Sequence, residues 1–331
     1  MKTINVLQIG LGPLGVKIGQ FIQERAGLNL LAAIDTNPMI AGQNLGKILG
    51  GKPNGIRIVD HIDKIKNITN VDIIILSTVS DLERIMAQID HLLDYSLPIV
   101  SSCEELTYPW HQNSPTFINL DEKAKQKGVA VLATGVNPGF LMDTLPTMMT
   151  AVCQDVQHIH VNRFQDAQHR RVPFQQKIGA GLSLNQFEER KKTGRLRHVG
   201  LTESMQFIAH SLGWEIDRTE DVIMPVIAEE NVQTPAMAIK KGEAMGVRQE
   251  GRAFWKGKEK IKLIFEAAVG SGQSFDEVKV SGSPDLNVKI ENGVNGDIAT
   301  CAIVLNAIPK VLAAQPGIKT MADISLVSYW T

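Results

Sequence analysis

The run Gly10-Leu11-Gly12-Pro13-Leu14-Gly15 follows directly on the apolar segment Ile4–Ile9, and Asp35 closes the next apolar segment, Leu30–Ile34, twenty residues after Gly15. A strand, a glycine turn, a helix, a second strand and an acid in that order constrain the chain to the opening βαβ unit of a doubly wound sheet, and they imply a ligand. Gly10 permits a tight turn, Gly12 lets the backbone approach a pyrophosphate, and Gly15 lets the helix lie close to the strand. Pro13 suits a first helical turn, where its missing donor costs nothing. The free N–H groups of that turn, Leu14 included, face the phosphate charge. Asp35 is expected to accept hydrogen bonds from the adenosine ribose and to repel a 2′-phosphate. Thr36, Asn37 and Pro38 offer no cation to hold such a phosphate. NAD is therefore the expected cofactor, with NADP admissible.

Residues 1–135 read as alternating strands (Ile4–Ile9, Leu30–Ile34, Ile56–Val59, Val71–Leu76, Ile99–Ser101, Val129–Ala133) and helices such as Asp81–Leu93 and Asn119–Gln126. This is the pattern of a parallel sheet covered on both faces. Beyond Gly135 the pattern changes to a helix-prone stretch, Gln175–Leu212, and longer strands: Gln157–Gln165, Val222–Ala228, Gly246–Trp255, Ile261–Ala268, Glu277–Ser281 and Asn287–Glu291. The fold class expected is α/β: a doubly wound parallel Rossmann sheet plus a second α+β domain with a mixed or antiparallel sheet. The domains are expected at 1–135 (dinucleotide-binding), 136–295 (substrate and dimerisation) and 296–331, a C-terminal helix returning to the nucleotide domain or the junction.

Composition excludes several partners. With a formal net charge of −1 and 5% aromatic residues, the chain has neither the basic surface nor the stacking platform of a nucleic-acid binder. No apolar run approaches the ~18 residues of a membrane span. The chain enters a strand almost at once, so no signal peptide is expected. Three cysteines, Cys103, Cys153 and Cys301, cannot pair completely and form no C-x-x-C, which fits a reducing, cytoplasmic setting.

Ligands of doubly wound sheets bind outside the carboxyl ends of the strands. There the sequence places Ser77-Thr78, Glu104-Glu105 and Thr134–Phe140. Ser77 and Thr78 lie either beside the nicotinamide ribose or in an ordinary strand-to-helix turn. Glu104 is the preferred general base, while Glu105 is read as completing a capping box with Ser102 at a helix start. Asn137 is placed to bond the nicotinamide carboxamide, and Phe140 to line a substrate pocket; a glycine-rich hinge with a core phenylalanine is the alternative. His158 and His160 share one strand face without a third ligand, so no metal is expected. Cys103 lacks a cationic neighbour in sequence and reads as a packed residue. The basic cluster from Lys191 to His198 reads as a solvated helix face.

On Gly10–Gly15, Asp35, Ser101–Leu106, Gly135–Asp143, Gly296–Thr300, Asn306–Pro309, Pro316-Gly317 and Thr320-Met321, the chain resembles 2,4-diaminopentanoate dehydrogenases and the related native amine dehydrogenases. The resemblance spans nearly the whole chain. It implies a dihydrodipicolinate-reductase-like nucleotide domain, a homodimer, and reversible NAD(P)-dependent deamination of an amine to a ketone and ammonia. It also implies Glu104 as the catalytic carboxylate, holding the amine. Arg163, His169 or Arg170 would pair with a substrate carboxylate if the substrate is an amino acid, or else are surface charge. No His-His pair followed by a lysine of the dihydrodipicolinate reductase type occurs, His169-Arg170-Arg171 being the nearest stretch. Two rivals remain: an imine or dihydrodipicolinate-type reductase, and a dinucleotide-binding sensor without turnover.

Overall fold

A computed structural model of the chain describes residues 3–330, except 113, 171, 195, 197 and 235. It begins with β1 (Ile4–Ile9), α1 (Pro13–Glu24), β2 (Leu28–Ile34), the single turn α2 (Leu45–Ile48), β3 (Ile73–Leu76), α3 (Leu82–Leu92), β4 (Ile99–Ser101), α4 (Pro115–Gln126) and β5 (Ala130–Ala133). All of these strands pair in parallel. β3 is buried along its length, as an unbroken Ile-Ile-Ile-Leu run in a sheet covered on both faces must be. α1 buries Gly15, Ile18, Gly19 and Ile22, one stripe at helical spacing. β1 has β2 on one side and β3 on the other, so the strand order reverses at β1/β3 and a crevice opens at their carboxyl ends. The predicted strand Ile56–Val59 is corrected: it makes only isolated bridges, Val59 with Ile34 and Arg57 with Asn44. Gly42 and Leu45 use their N–H groups on Ile58 and Ile56, so a local loop competes for the backbone that a ladder would need.

The chain continues through α5 (Thr144–Met149), β6 (Asp155–Asp166), α6 (Val172–Lys177), α7 (Leu184–Lys192), α8 (Leu201–Ser211), β7 (Arg218–Ile227), the two-residue strands β8 (Val232–Gln233) and β9 (Ala238–Ile239), β10 (Ala244–Trp255), β11 (Lys258–Ala268), β12 (Phe275–Ser283) and β13 (Leu286–Glu291). Its large sheet runs β13-β12-β6-β11-β10-β7 and is mixed, with β6 and β11 parallel and the other neighbours antiparallel. α7 starts on a capping box in which Ser183 and Gln186 each satisfy the other's backbone N–H.

The last helix, α9 (Gly296–Leu312), packs against α1, β3, β4 and β5 with Cys301, Val304, Leu305, Ala307, Ile308 and Val311 buried. After it, β14 (Gly317–Lys319) adds to β5 as a sixth parallel strand. The chain forms two compact units, Met1–Phe140 with Asn295–Thr331, and Leu141–Val294. The first boundary thus falls after Phe140 rather than after residue 135, and leaves Asn137 and Phe140 in the nucleotide unit. No described helix is long and apolar enough to cross a membrane.

Candidate functional site

The three loop glycines have three different physical reasons. Gly10 sits at φ +90°, and a Cβ there would lie 2.4 Å from the Ser77 carbonyl oxygen. A Cβ on Gly15 would lie 2.0 Å from the Gly10 oxygen, so α1 can approach its strand only with glycine there. Gly12 has an ordinary φ of −64°, and nothing lies within 4 Å of where its Cβ would be. The protein itself does not require a glycine at that position; a group laid against the backbone does. Gly12 is also the N-cap of α1, with Pro13 following and no side chain capping the first-turn N–H groups of Leu14 and Gly15. A bare helix N-terminus beside open backbone fits a pyrophosphate.

A cavity of about 600 Å³ opens beside this turn and gathers Gly10, Gly12, Asp35, Ser77 and Thr78. Asp35 takes the Leu11 N–H on Oδ2 at 2.7 Å and the Asn37 N–H on Oδ1 at 2.8 Å. Each oxygen keeps a lone pair for a ribose hydroxyl. Ser77 Oγ is engaged inside the protein, accepting from Gln8 Nε2 at 2.7 Å and donating to the Gly10 oxygen at 3.1 Å. Thr78 Oγ1 bonds Gln88 Oε1 at 2.7 Å. Sequence reasoning missed the rest of the polar lining: His61, with Arg84, Gln88 and His91 of α3. The i, i+4, i+7 spacing of the last three on one helix face was the available signal. The His61 and His91 rings stand 5.4 Å apart.

The two glutamates after β4 separate clearly. Glu105 Oε2 accepts from the Leu82 N–H at 2.8 Å, and so caps α3 alongside the N-cap Asp81. No helix starts at Ser102, so the predicted capping box is corrected: Glu105 serves a neighbouring helix instead of its own. Glu104 is half-buried, and no group among the described residues donates to its carboxylate. Its backbone oxygen is held by the Thr107 N–H at 3.1 Å and by Thr107 Oγ1 at 2.7 Å. Burial pushes the Cys103 thiol up to about 12, which keeps it protonated and unreactive.

Beyond β5, the Thr134 N–H bonds Ser101 O at 2.9 Å, and the Val136 N–H bonds Thr300 Oγ1 of α9 at 3.2 Å. Two motifs 164 residues apart in sequence therefore meet. Gly139 is at φ +121°, where a Cβ would strike the Gly135 backbone. Asn137 is buried and Phe140 half-buried on this turn. In the other unit, Arg163 is 2% exposed, with Nη1 3.1 Å from Asp276 Oδ1 and Nη2 donating to Val294 O at 3.0 Å. Asp276 Oδ2 accepts from the Val294 N–H at 2.7 Å. Burial pushes the arginine down and the aspartate up, each partly offset by the other's charge. Arg163 is thus committed to the interior, which corrects its expected role toward a substrate carboxylate. His169 lies exposed in the turn after β6. Arg170 sits over the Phe174 ring, its guanidinium carbon 4.3 Å from the centroid. Arg171, Arg195 and Arg197 lie outside the described residues. His158 is used by Glu259 at 3.1 Å.

Fold and rim together place the chain in the class of Rossmann-type dinucleotide-binding proteins. Residues 140–331, more than half of the chain, match the model of the 2,4-diaminopentanoate dehydrogenase C-terminal domain, and the chain belongs to that family. Residues 1–95 match the model of a CoA binding domain. A curated 2,4-diaminopentanoate dehydrogenase from Acetoanaerobium sticklandii is 28% identical over 98% of this chain and 94% of its own length. Among solved structures, an amine dehydrogenase from Mycobacterium smegmatis superposes with a TM-score of 0.84 at 20% identity, over 99% of this chain and 97% of that one. A myo-inositol dehydrogenase from Lactobacillus casei, in complex with NAD(H) and myo-inositol, gives a TM-score of 0.58 at 13% identity over 97% and 90%. At these identities the two solved structures share the fold.

Proposed function

We propose that the protein is an NAD(P)-dependent amine dehydrogenase, converting a small amine, 2,4-diaminopentanoate or a simple alkylamine, reversibly to a ketone and ammonia. The observation that carries this reading is Glu104: a half-buried carboxylate without a donor among the described residues, at the carboxyl end of β4, two strands from the glycine loop. Family membership and the 28% identical dehydrogenase support it. The glycine turn and Asp35 would hold the dinucleotide by its pyrophosphate and adenosine ribose, with Thr78 and Asn137 toward the second half. We infer a preference for NAD because the Asp35 carboxylate repels a phosphate on that ribose. The same argument disfavours CoA, whose adenosine ribose carries a 3′-phosphate. The bound nicotinamide supplies hydride acceptance and return.

The chain's own residues do the rest. Glu104 holds the substrate ammonium by charge and takes one of its protons, which frees the nitrogen lone pair to form the iminium as hydride leaves the carbon. After passing that proton to solvent, the same carboxylate takes a proton from water adding to the iminium carbon. Returning it to the nitrogen lets ammonia depart as the freed carboxylate takes the remaining hydroxyl proton, which leaves the ketone. One acid/base group is enough, since position and charge are what the protein adds. Phe140 is proposed to line the pocket. A cytoplasmic homodimer is the setting we infer from three unpaired thiols and the family resemblance. Incubation with NAD and 2,4-diaminopentanoate or alkylamines, following reduced cofactor, tests the reading. Appearance of NADH with stoichiometric ammonia supports it; dinucleotide binding with no turnover of any amine refutes it in favour of a sensor.

A further inference from the structure

β1 is an interior strand of a parallel sheet, and such strands are apolar because both faces are covered. Gln8 breaks that rule: it is fully buried on β1 between Leu7 and Ile9. Its amide uses both protons on the cofactor turn. Nε2 donates to the Gly10 oxygen at 3.0 Å and to Ser77 Oγ at 2.7 Å. Ser77 Oγ in turn donates to the same Gly10 oxygen at 3.1 Å. The next atoms of that peptide unit are fixed as well, because the Leu11 N–H donates to Asp35 Oδ2 at 2.7 Å. One peptide, Gly10–Leu11, is therefore held at its carbonyl by Gln8 and Ser77 and at its N–H by Asp35. Its orientation sets the course of Gly12, the residue with open space over its α-carbon.

Gln8 Oε1, by contrast, is buried with no hydrogen-bond partner. A buried orphan acceptor destabilises a fold. An apolar side chain of the same length would leave no orphan, since Ser77 Oγ and the Gly10 oxygen would still satisfy each other. Fold stability is thus a poor reason for glutamine at this position, and loop geometry is a good one.

We propose that Gln8 is a positioning residue for dinucleotide binding, acting through the Gly10 carbonyl to hold the glycine turn in its binding shape before the cofactor arrives. The proposal rests on the dinucleotide reading of this site and deepens it. A turn fixed beforehand spares the ligand the cost of ordering it.

The test uses the full chain with Gln8→Met, Ser77→Ala and the double variant. NADH affinity is read by fluorescence titration, ADP-ribose serves as a competing ligand, and ligand-free melting is measured alongside. Gln8→Met is expected to melt at or above the wild-type temperature yet bind NADH and ADP-ribose about tenfold more weakly, the worth of roughly one hydrogen bond. Ser77→Ala is expected to weaken binding too, and the double variant to lose less than the product of the single effects, because both act on one carbonyl. Unchanged NADH affinity in a folded Gln8→Met overturns the proposal. So does a loss of affinity that merely follows a lowered melting temperature. Amine turnover is not a readout, so the two proposals fail separately: a wild type that binds no NADH removes the dinucleotide reading and this inference together, whereas unaltered binding by Gln8→Met removes this inference alone.

Discussion

Gly12→Ala separates what the ligand needs from what the fold needs. The backbone at Gly12 is extended, and nothing stands within 4 Å of the added methyl, so no contact opposes the substitution. Alanine is a poorer N-cap than glycine, costing about 1 kcal/mol, but it restricts the unfolded chain by about 0.4–1 kcal/mol in compensation. Stability should change by less than about 1 kcal/mol, a shift of no more than about 4 °C. The methyl occupies the space assigned to the pyrophosphate, and affinity should fall about a hundredfold, roughly 2.7 kcal/mol. Melting with and without NADH reads both effects. At a concentration of 100 times Kd, NADH stabilises the wild type by about 2.7 kcal/mol; with Kd a hundredfold higher, the same concentration yields about 0.4 kcal/mol. Gly15→Ala is the control: its methyl would lie 2.0 Å from the Gly10 oxygen, and overpacking there should cost about 1–3 kcal/mol before any ligand is added. A Gly12→Ala protein that keeps its full NADH-induced shift, or that fails to fold, refutes the argument.

Further outcomes follow from other contacts. Asp35→Ser should raise the ratio of NADP to NAD kcat/KM by about tenfold, as removing the carboxylate removes the repulsion of a 2′-phosphate; an unchanged ratio contradicts its role. Asp276→Asn leaves Arg163 buried beside a neutral partner and should cost about 3–5 kcal/mol in chemical denaturation. Glu105→Gln should lower stability by about 1 kcal/mol through the weakened α3 cap and leave turnover within a few-fold of wild type. Burial alone would raise Glu250, but hydrogen bonds from Arg252 and Arg248 outweigh it and hold the carboxyl below its ordinary value of 4.5. Its stabilisation is therefore present above about pH 4.5 and lost as pH falls through the lower folded value, so Glu250→Gln should flatten the acid side of the stability profile.

The nucleotide unit was legible because its signals are local. Glycine spacing, an unbroken Ile-Ile-Ile-Leu run and an acid at a strand end each report on neighbours in sequence. The mixed sheet of the second unit was legible through alternation. What escaped depends on partners far along the chain. Glu105 fitted a capping box with Ser102, but the nearest helix start in need of an acceptor was Leu82, reached only once β3 and β4 lie side by side. Arg163 reads in sequence as a substrate cation or as surface charge, although period-two alternation puts it on one face with the buried Ile159 and Val161; what the sequence hides is Asp276, 113 residues on. β14 escaped because three residues with one buried isoleucine make too short a pattern. Gln8 was visible as a polar residue in an apolar run, yet its meaning required the distance to Gly10.

Glu104→Gln, assayed for amine oxidation at saturating NAD beside a titration of NADH affinity, tests the central claim most directly. The account predicts kcat lower by about 10²–10⁴ with NADH affinity unchanged, since the side chain keeps its size and loses only its charge and basicity. Turnover within tenfold of wild type, with Glu105→Gln inactive instead, would contradict it.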